Sequence, residues 1–62
     1  MPVVTITAPE GAFTDEQRLA MIDRVTEAMV QVEGEEFRDK TWVVYDEVPA
    51  GRFAIGGRLL GG

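Results

Sequence analysis

Neither cysteine nor histidine occurs in this chain of 62 residues. Disulfides, thiolate or imidazole metal sites, and Ser-His or Cys-His nucleophile pairs are therefore excluded. Any catalysis has to come from carboxylates, amines, tyrosine or the chain terminus. We expect no metal and no cofactor.

Long apolar runs and basic segments are missing as well. No stretch approaches the roughly 20 apolar residues of a membrane span, and the first residues lack the basic and apolar regions of a signal peptide. The formal net charge is −5, with acidic residues spread along the chain, so nucleic acid and anionic membranes are poor partners. We expect a cytoplasmic protein that binds neither.

The chain is short for an independent fold. We expect one domain over residues 1–62, and a domain of about this size buries only about 60% of its unfolded surface. The hydrophobic fraction of 45% is typical of a globular protein. Because disulfides and thiolate or imidazole metal sites are excluded, oligomerisation is the remaining source of stability, and we expect a homo-oligomer.

The segment PVVTITA, residues 2–8, alternates between two faces and is rich in β-branched residues, which predicts a strand. One face carries Val4, Ile6 and Ala8, and the other carries Val3, Thr5 and Thr7. Pro9 and Gly11 are predicted to break the strand.

Thr14 followed by Gln17 is a capping-box signature for a helix beginning near Asp15. Apolar residues then recur at spacings of three and four, at Leu19, Ile22, Val25, Met29 and Val32. This pattern predicts an amphipathic helix that Gly34 ends. The following segment EEFRDK is predicted to be a charged loop, with Arg38 solvated.

The segment TWVVYDEV, residues 41–48, predicts a second strand. A helix between two strands is typical of a right-handed crossover between parallel neighbours. Gly56 and Gly57 predict a tight turn in the final segment. The expected fold class is α/β: a single β-α-β unit with parallel strands and a C-terminal β-hairpin. One helix would leave parts of both strands and the tail from Phe53 to Leu60 uncovered, which again favours an oligomer.

Pro2 directly follows the initiator methionine. A small second residue of this kind usually permits removal of Met1, which would leave a secondary amine at the terminus. An apolar pocket would lower the pKa of that amine and make it a usable base. A Met-Pro pair alone is weak evidence, because proline makes up about 5% of residues anywhere.

Pro2 at the start of a strand, PEGAFTDEQ leading into a helix, and GRFAIGG at residues 51–57 occur in an order that resembles the 4-oxalocrotonate tautomerase family. The likeness covers nearly the whole chain. Members are small β-α-β chains that form hexamers and use the amino-terminal proline to move a proton between carbons of unsaturated 2-oxo acids. The resemblance implies a cofactor-independent tautomerase, an isomerase, with Pro2 as catalytic base and acid. It also implies a small 2-oxo acid or enol as substrate and a hexameric assembly.

Beyond Pro2, the resemblance matches one further active-site residue of the family and departs from the family at two others. Phe53 matches the active-site phenylalanine of the family, which keeps the pocket apolar. The positions of two carboxylate-binding arginines fall on Trp42 and on Ala12 or Phe13, so a less charged or larger substrate is implied.

Trp42, Lys40 and Arg52 are the candidates for substrate binding. Strand alternation would place Lys40 on the same side as Trp42, and Arg52 adjoins Phe53. Trp42 is equally compatible with a packing role. Arg58 could reach the site of a neighbour.

Two other functions remain open. A hydratase or dehalogenase would use protonated Pro2 as an acid, but it needs a water-activating carboxylate that cannot be placed here. Adjacent Asp46 and Glu47 face opposite sides of a strand and do not form such a pair. A non-catalytic binding protein with a vestigial pocket would account for both missing arginines.

Overall fold

The computed structural model describes residues 1–59. Their elements are strand β1 (Val3–Pro9), helix α1 (Asp15–Glu33), a 3-10 helix (Glu35–Lys40), strand β2 (Trp42–Val48), and the short strands β3 (Ala54–Ile55) and β4 (Arg58–Leu59). β1 and β2 pair in parallel, with Val3 opposite Trp42 and Pro9 opposite Val48. The predicted α/β fold with one β-α-β unit and a C-terminal hairpin is confirmed. Residues 60–62, with Leu60 of the predicted apolar tail and the end of the predicted domain, lie outside the described residues.

The start and end of α1 follow from the local sequence. The Thr14 hydroxyl accepts a hydrogen bond from the Gln17 N–H at 3.1 Å, and the Gln17 side-chain oxygen accepts one from the Thr14 N–H at 2.9 Å. This reciprocal capping box satisfies two backbone donors that the first turn leaves free. Gly34 caps the other end with φ of 110°, a backbone conformation that favours glycine. Both predicted helix boundaries are confirmed.

α1 covers one face of the two-stranded sheet. On that face Ala8 is buried and Val4, Ile6, Val43 and Tyr45 are partly buried. On the other face the exposed residues are Val3, Thr5, Thr7, Trp42, Val44 and Asp46. The predicted division of β1 into two faces therefore holds. Within residues 1–59, no helix is both long enough and apolar enough to cross a membrane.

The predicted apolar stripe of α1 is correct in its middle and wrong at its ends. Ile22, Val25 and Met29 are partly buried, but Leu19 and Val32 are exposed. A helix of 19 residues is about 27 Å long, whereas a strand of 7 residues spans about 20 Å. The sheet is thus too short to cover Leu19, whereas Val32 lies about 200° around the helix from buried Val30 and faces outward. Val30, which the sequence pattern missed, is the buried helix residue.

The charged segment after α1 is a 3-10 helix, not the predicted loop. Its Arg38 is not solvated as predicted, because the guanidinium forms ion pairs with Glu27 and Glu35. β1 also runs one residue further than predicted, through Pro9. The missing N–H of a proline is tolerated at the end of an edge strand.

The C-terminal hairpin extends away from the β-α-β unit. Gly56 and Gly57 form its turn with φ of 58° and 82°, as two-residue hairpin turns require, and all four residues of β3 and β4 are exposed. The radius of gyration of 14.3 Å exceeds the roughly 11 Å of a compact chain of this length. A single chain therefore leaves its hairpin without a packing partner among the described residues.

Candidate active site

The N-terminal end of the sheet carries Pro2. This residue immediately precedes β1 and is half-buried. Its carbonyl oxygen accepts a hydrogen bond from the N–H of Trp42 at 3.1 Å. The parallel pairing of β1 and β2 thus begins with a contact between the candidate base and a candidate substrate-binding residue.

Trp42 lies on the sheet face that α1 does not cover. The residue is 53% exposed, beside Val3 and near Val44 on the same face. Trp42 is therefore not part of a buried core within the described residues of a single chain.

Lys40 is placed differently from the expectation. It is the last residue of the 3-10 helix and is exposed. The argument that alternation puts Lys40 on the same side as Trp42 is wrong, because alternation holds only in an extended backbone. Lys40 remains close in sequence to the N-terminal end of β2, and nothing more specific ties it to Pro2.

Phe53 and Arg52 lie beyond the other end of the sheet. They follow β2, with Phe53 partly buried and Arg52 exposed, and the Arg52 N–H closes a turn onto the Pro49 carbonyl at 3.2 Å. Because the strands are parallel, the chain enters the sheet next to Pro2 and leaves it at Val48, at the opposite end, about 20 Å away along the strand. Phe53 follows five residues later. Within one chain the structure does not bring these residues together.

The loop after β1 lies at the same end as Phe53. It contains Ala12 and Phe13, both exposed. The described chain thus has two groups of candidate residues at opposite sheet ends. Residues 1–59 of a single chain enclose no pocket that contains either group.

Two arginines, Arg18 on α1 and Arg38 on the 3-10 helix, are held by carboxylates. Arg18 contacts Asp15 at 3.3 Å and lies 6.0 Å from the centre of the Tyr45 ring, a distance at the limit of a cation–π contact. Arg38 is held by Glu27 and Glu35. In the part of the chain that the structure describes, Lys40, Arg52 and Arg58 form no ion pair. These three cations are therefore available to an anion or to another chain.

Sequence reasoning missed the ion pairs of Arg18 and Arg38. The Asp15–Arg18 spacing of three is a signal that could have identified the first. The link from Arg38 to Glu27 crosses 11 residues and joins two elements, so no local pattern indicates it.

Comparison with known proteins assigns this arrangement to a family. A family model described as tautomerase enzyme matches residues 2–62. Among solved structures, the chain is similar to one described as apo unfused 4-OT, with 29% identity and a TM-score of 0.78 over 94% of this chain and 97% of that one. It is also similar to DmpI from Helicobacter pylori, with 26% identity and a TM-score of 0.66 over 94% of this chain and 85% of that one. No curated protein matches it.

Proposed function

This chain belongs to the tautomerase family, and we propose that it catalyses enol-keto or double-bond proton transfer on unsaturated 2-oxo acids. Pro2, with its nitrogen freed by removal of Met1, is the general base and acid. Phe53 keeps the site apolar, and Trp42 with Lys40 or Arg52 holds the substrate. The observation that carries the proposal is the half-buried Pro2 anchored at the start of the parallel sheet in a chain of this family.

The proposed chemistry needs only a nitrogen lone pair in an apolar site that excludes water. The free Pro2 nitrogen takes a proton from the enol hydroxyl or from an activated carbon and returns it to another carbon. An apolar site disfavours the charged amine and lowers its pKa, so more of the base is unprotonated near neutral pH. Positioned acid–base groups of this kind contribute about 10²- to 10⁴-fold in rate.

The site we propose is built from more than one chain. Pro2 and Phe53 lie at opposite ends of a sheet about 20 Å long, so Phe53 has to come from a neighbouring copy. The exposed hairpin is suited to this role because it extends from its own chain and carries Ile55 and Leu59 in contact with solvent. We propose a homo-oligomer, and a hexamer in particular.

Charge favours the same arrangement. Residues 49–59 contain Arg52 and Arg58 and no acidic residue, whereas the whole chain has a net charge of −5. A basic hairpin is electrostatically complementary to the acidic body of another copy. Arg52 would then be carried into the neighbour's site together with Phe53.

The substrate we propose is a small, singly charged acid in the cytoplasm. Trp42 and Phe13 present rings at the two sheet ends, and each end has one cation without an ion pair among the described residues, Lys40 or Arg52. Because Trp42 and Ala12 or Phe13 stand where the family carries its two carboxylate-binding arginines, such a site suits a less charged or larger acid better than a small dicarboxylate.

The deciding experiment compares two preparations of the same protein. In one preparation Met1 has been removed, as checked by intact mass. In the other, Met1 is still attached or the terminus is acetylated, so that the Pro2 nitrogen is an amide. Both are assayed for ketonisation of an arylpyruvate enol. The blocked form should be about 10²- to 10⁴-fold slower, because an amide nitrogen has no available lone pair. Pro2→Ala keeps a primary amine and should lose activity only in part.

Two results would contradict the proposal. Equal rates for the free and the blocked terminus would rule out Pro2 as the base. Inactivity of the free form on several enols would indicate a non-catalytic binding protein.

A further inference from the structure

Arg38 lies at the centre of a set of ion pairs. Its Nη1 and Nη2 donate to the two carboxylate oxygens of Glu27, the latter at 3.1 Å. Its Nε and Nη2 donate to those of Glu35 at 2.8 and 3.0 Å. Paired contacts of this kind fix the orientation of both groups, because the guanidinium fork matches the carboxylate plane.

These contacts join two elements. Glu27 lies on α1, whereas Glu35 and Arg38 belong to the 3-10 helix. The hydrogen bonds from Arg38 hold the pKa of Glu27 and of Glu35 below the ordinary value, and these carboxylates raise the pKa of Arg38. All three groups therefore stay charged at neutral pH, and the 3-10 helix stays tied to α1.

Two backbone hydrogen bonds, joined by the covalent Thr41–Trp42 backbone, connect Arg38 to Pro2. The Thr41 N–H donates to the Arg38 carbonyl at 3.2 Å. The Thr41 hydroxyl contacts the Glu33 carboxylate and lies 2.9 Å from the Phe37 carbonyl. The next residue, Trp42, donates its N–H to the Pro2 carbonyl. The position of the Pro2 carbonyl is thus set by the end of the 3-10 helix.

We propose that Arg38 is a positioning residue for Pro2: by tying the 3-10 helix to α1, it fixes the Trp42 backbone that anchors the Pro2 carbonyl. This inference rests on the proposed function. The Pro2 nitrogen is two bonds from the anchored carbonyl carbon, so movement of the anchor moves the base. A misplacement of about 1 Å can lower a rate about 10²-fold.

The same geometry argues against a direct role for Arg38 in binding substrate. Its guanidinium is already shared by two carboxylates. A substrate carboxylate would have to displace one of them and would meet the negative charge of the other. Arg38 therefore does not replace the missing carboxylate-binding arginines, and its effect on the reaction should pass through Pro2.

The test compares Arg38→Met with Arg24→Met in protein that lacks Met1. Arg24 is exposed on α1 and forms no ion pair among the described residues, so its replacement makes the same change of charge without touching the link. We expect Arg38→Met to lower kcat on an arylpyruvate enol by about 10- to 100-fold, with KM changed less than threefold. Arg24→Met should match the unmodified protein.

A second measurement does not depend on activity. Amide hydrogen exchange at the Trp42 N–H should become about tenfold faster or more in Arg38→Met, with the centre of β2 still protected. If the unmodified protein is inactive, the proposed function fails and exchange at Trp42 still decides whether Arg38 holds the anchor.

Arg38→Met with unchanged kcat and unchanged Trp42 protection would overturn the inference, and so would equal effects of Arg38→Met and Arg24→Met. If Arg38→Met does not fold, Glu27→Gln decides in its place. A loss of kcat and of Trp42 amide protection in Glu27→Gln, smaller than that expected for Arg38→Met, supports the inference. Unchanged kcat and unchanged protection in Glu27→Gln overturn it.

Discussion

The backbone N–H of Trp42 donates a hydrogen bond to the carbonyl oxygen of Pro2 at 3.1 Å. This bond connects the start of β2 to the residue that precedes β1. The same Trp42 is 53% exposed as a residue and lies on the uncovered sheet face. Backbone and side chain of one residue therefore have separable roles, the first in anchoring Pro2 and the second in any contact with substrate.

Replacing the Trp42 side chain should affect binding more than turnover. We expect Trp42→Ala to raise KM about 2- to 10-fold, the range of a lost aromatic contact, with kcat nearly unchanged because the backbone bond remains. Trp42→Phe keeps a ring and should show a smaller effect. Since Trp42 is the one tryptophan of the chain, its fluorescence should change on titration with a 2-oxo acid analogue. Binding without that change would place Trp42 outside the site.

The uncovered sheet face should be required for assembly. We expect Val44→Asp to reduce the oligomer to smaller species in light scattering at micromolar concentration, because Val44 lies on this face and a buried unpaired carboxylate is costly. Val32→Asp introduces the same charge on the outside of α1, where Val32 is 91% exposed, and should leave the assembly intact. An unmodified protein that is a stable monomer would contradict the proposed oligomer.

The capping box should contribute measurably to stability. Thr14→Ala removes the oxygen that accepts the Gln17 N–H and should lower the free energy of unfolding by about 1 kcal/mol. Thr14→Ser keeps the oxygen and is the matched control. Urea denaturation at a fixed protein concentration measures both, and equal losses in the two variants would show that the hydroxyl is not the cause.

Stability should fall in acid through Glu27 and Glu35. The pKa of each carboxyl is lowered from 4.5 by the hydrogen bond from Arg38. A lowered folded-state pKa stabilises the fold above the unfolded-state pKa, and this contribution is lost as pH falls through the folded-state value. The loss should therefore begin below pH 4.5 and not at neutral pH.

Thermal unfolding of Glu27→Gln across the acid range checks this prediction. The variant should be less stable than the unmodified protein near neutral pH, and the two should converge in acid. Asp23→Asn, which alters an exposed carboxylate of α1 that has no ion pair within residues 1–59, is the control. A constant difference between Glu27→Gln and the unmodified protein at all pH values would contradict the assignment.

The sequence by itself determined the features that depend on near neighbours. The capping box of Thr14 and Gln17, the glycine that ends α1 and the turn at Gly56 and Gly57 are local, because each depends on a hydrogen bond or a backbone angle within a few residues. The two faces of β1 follow from the alternation of a strand in the same way. The family resemblance added Pro2 and Phe53 as candidates, but not their distance.

Tertiary structure decided what depends on distant residues. The pairing of Arg38 with Glu27 crosses 11 residues, and the exposure of Leu19 depends on how far a two-stranded sheet reaches beneath a longer helix. The separation of Pro2 from Phe53 arises from the parallel direction of β1 and β2, which puts the entry and the exit of the chain at opposite ends. Local patterns contain no information on such distances, because side chains far apart in sequence meet only when packing brings their elements together.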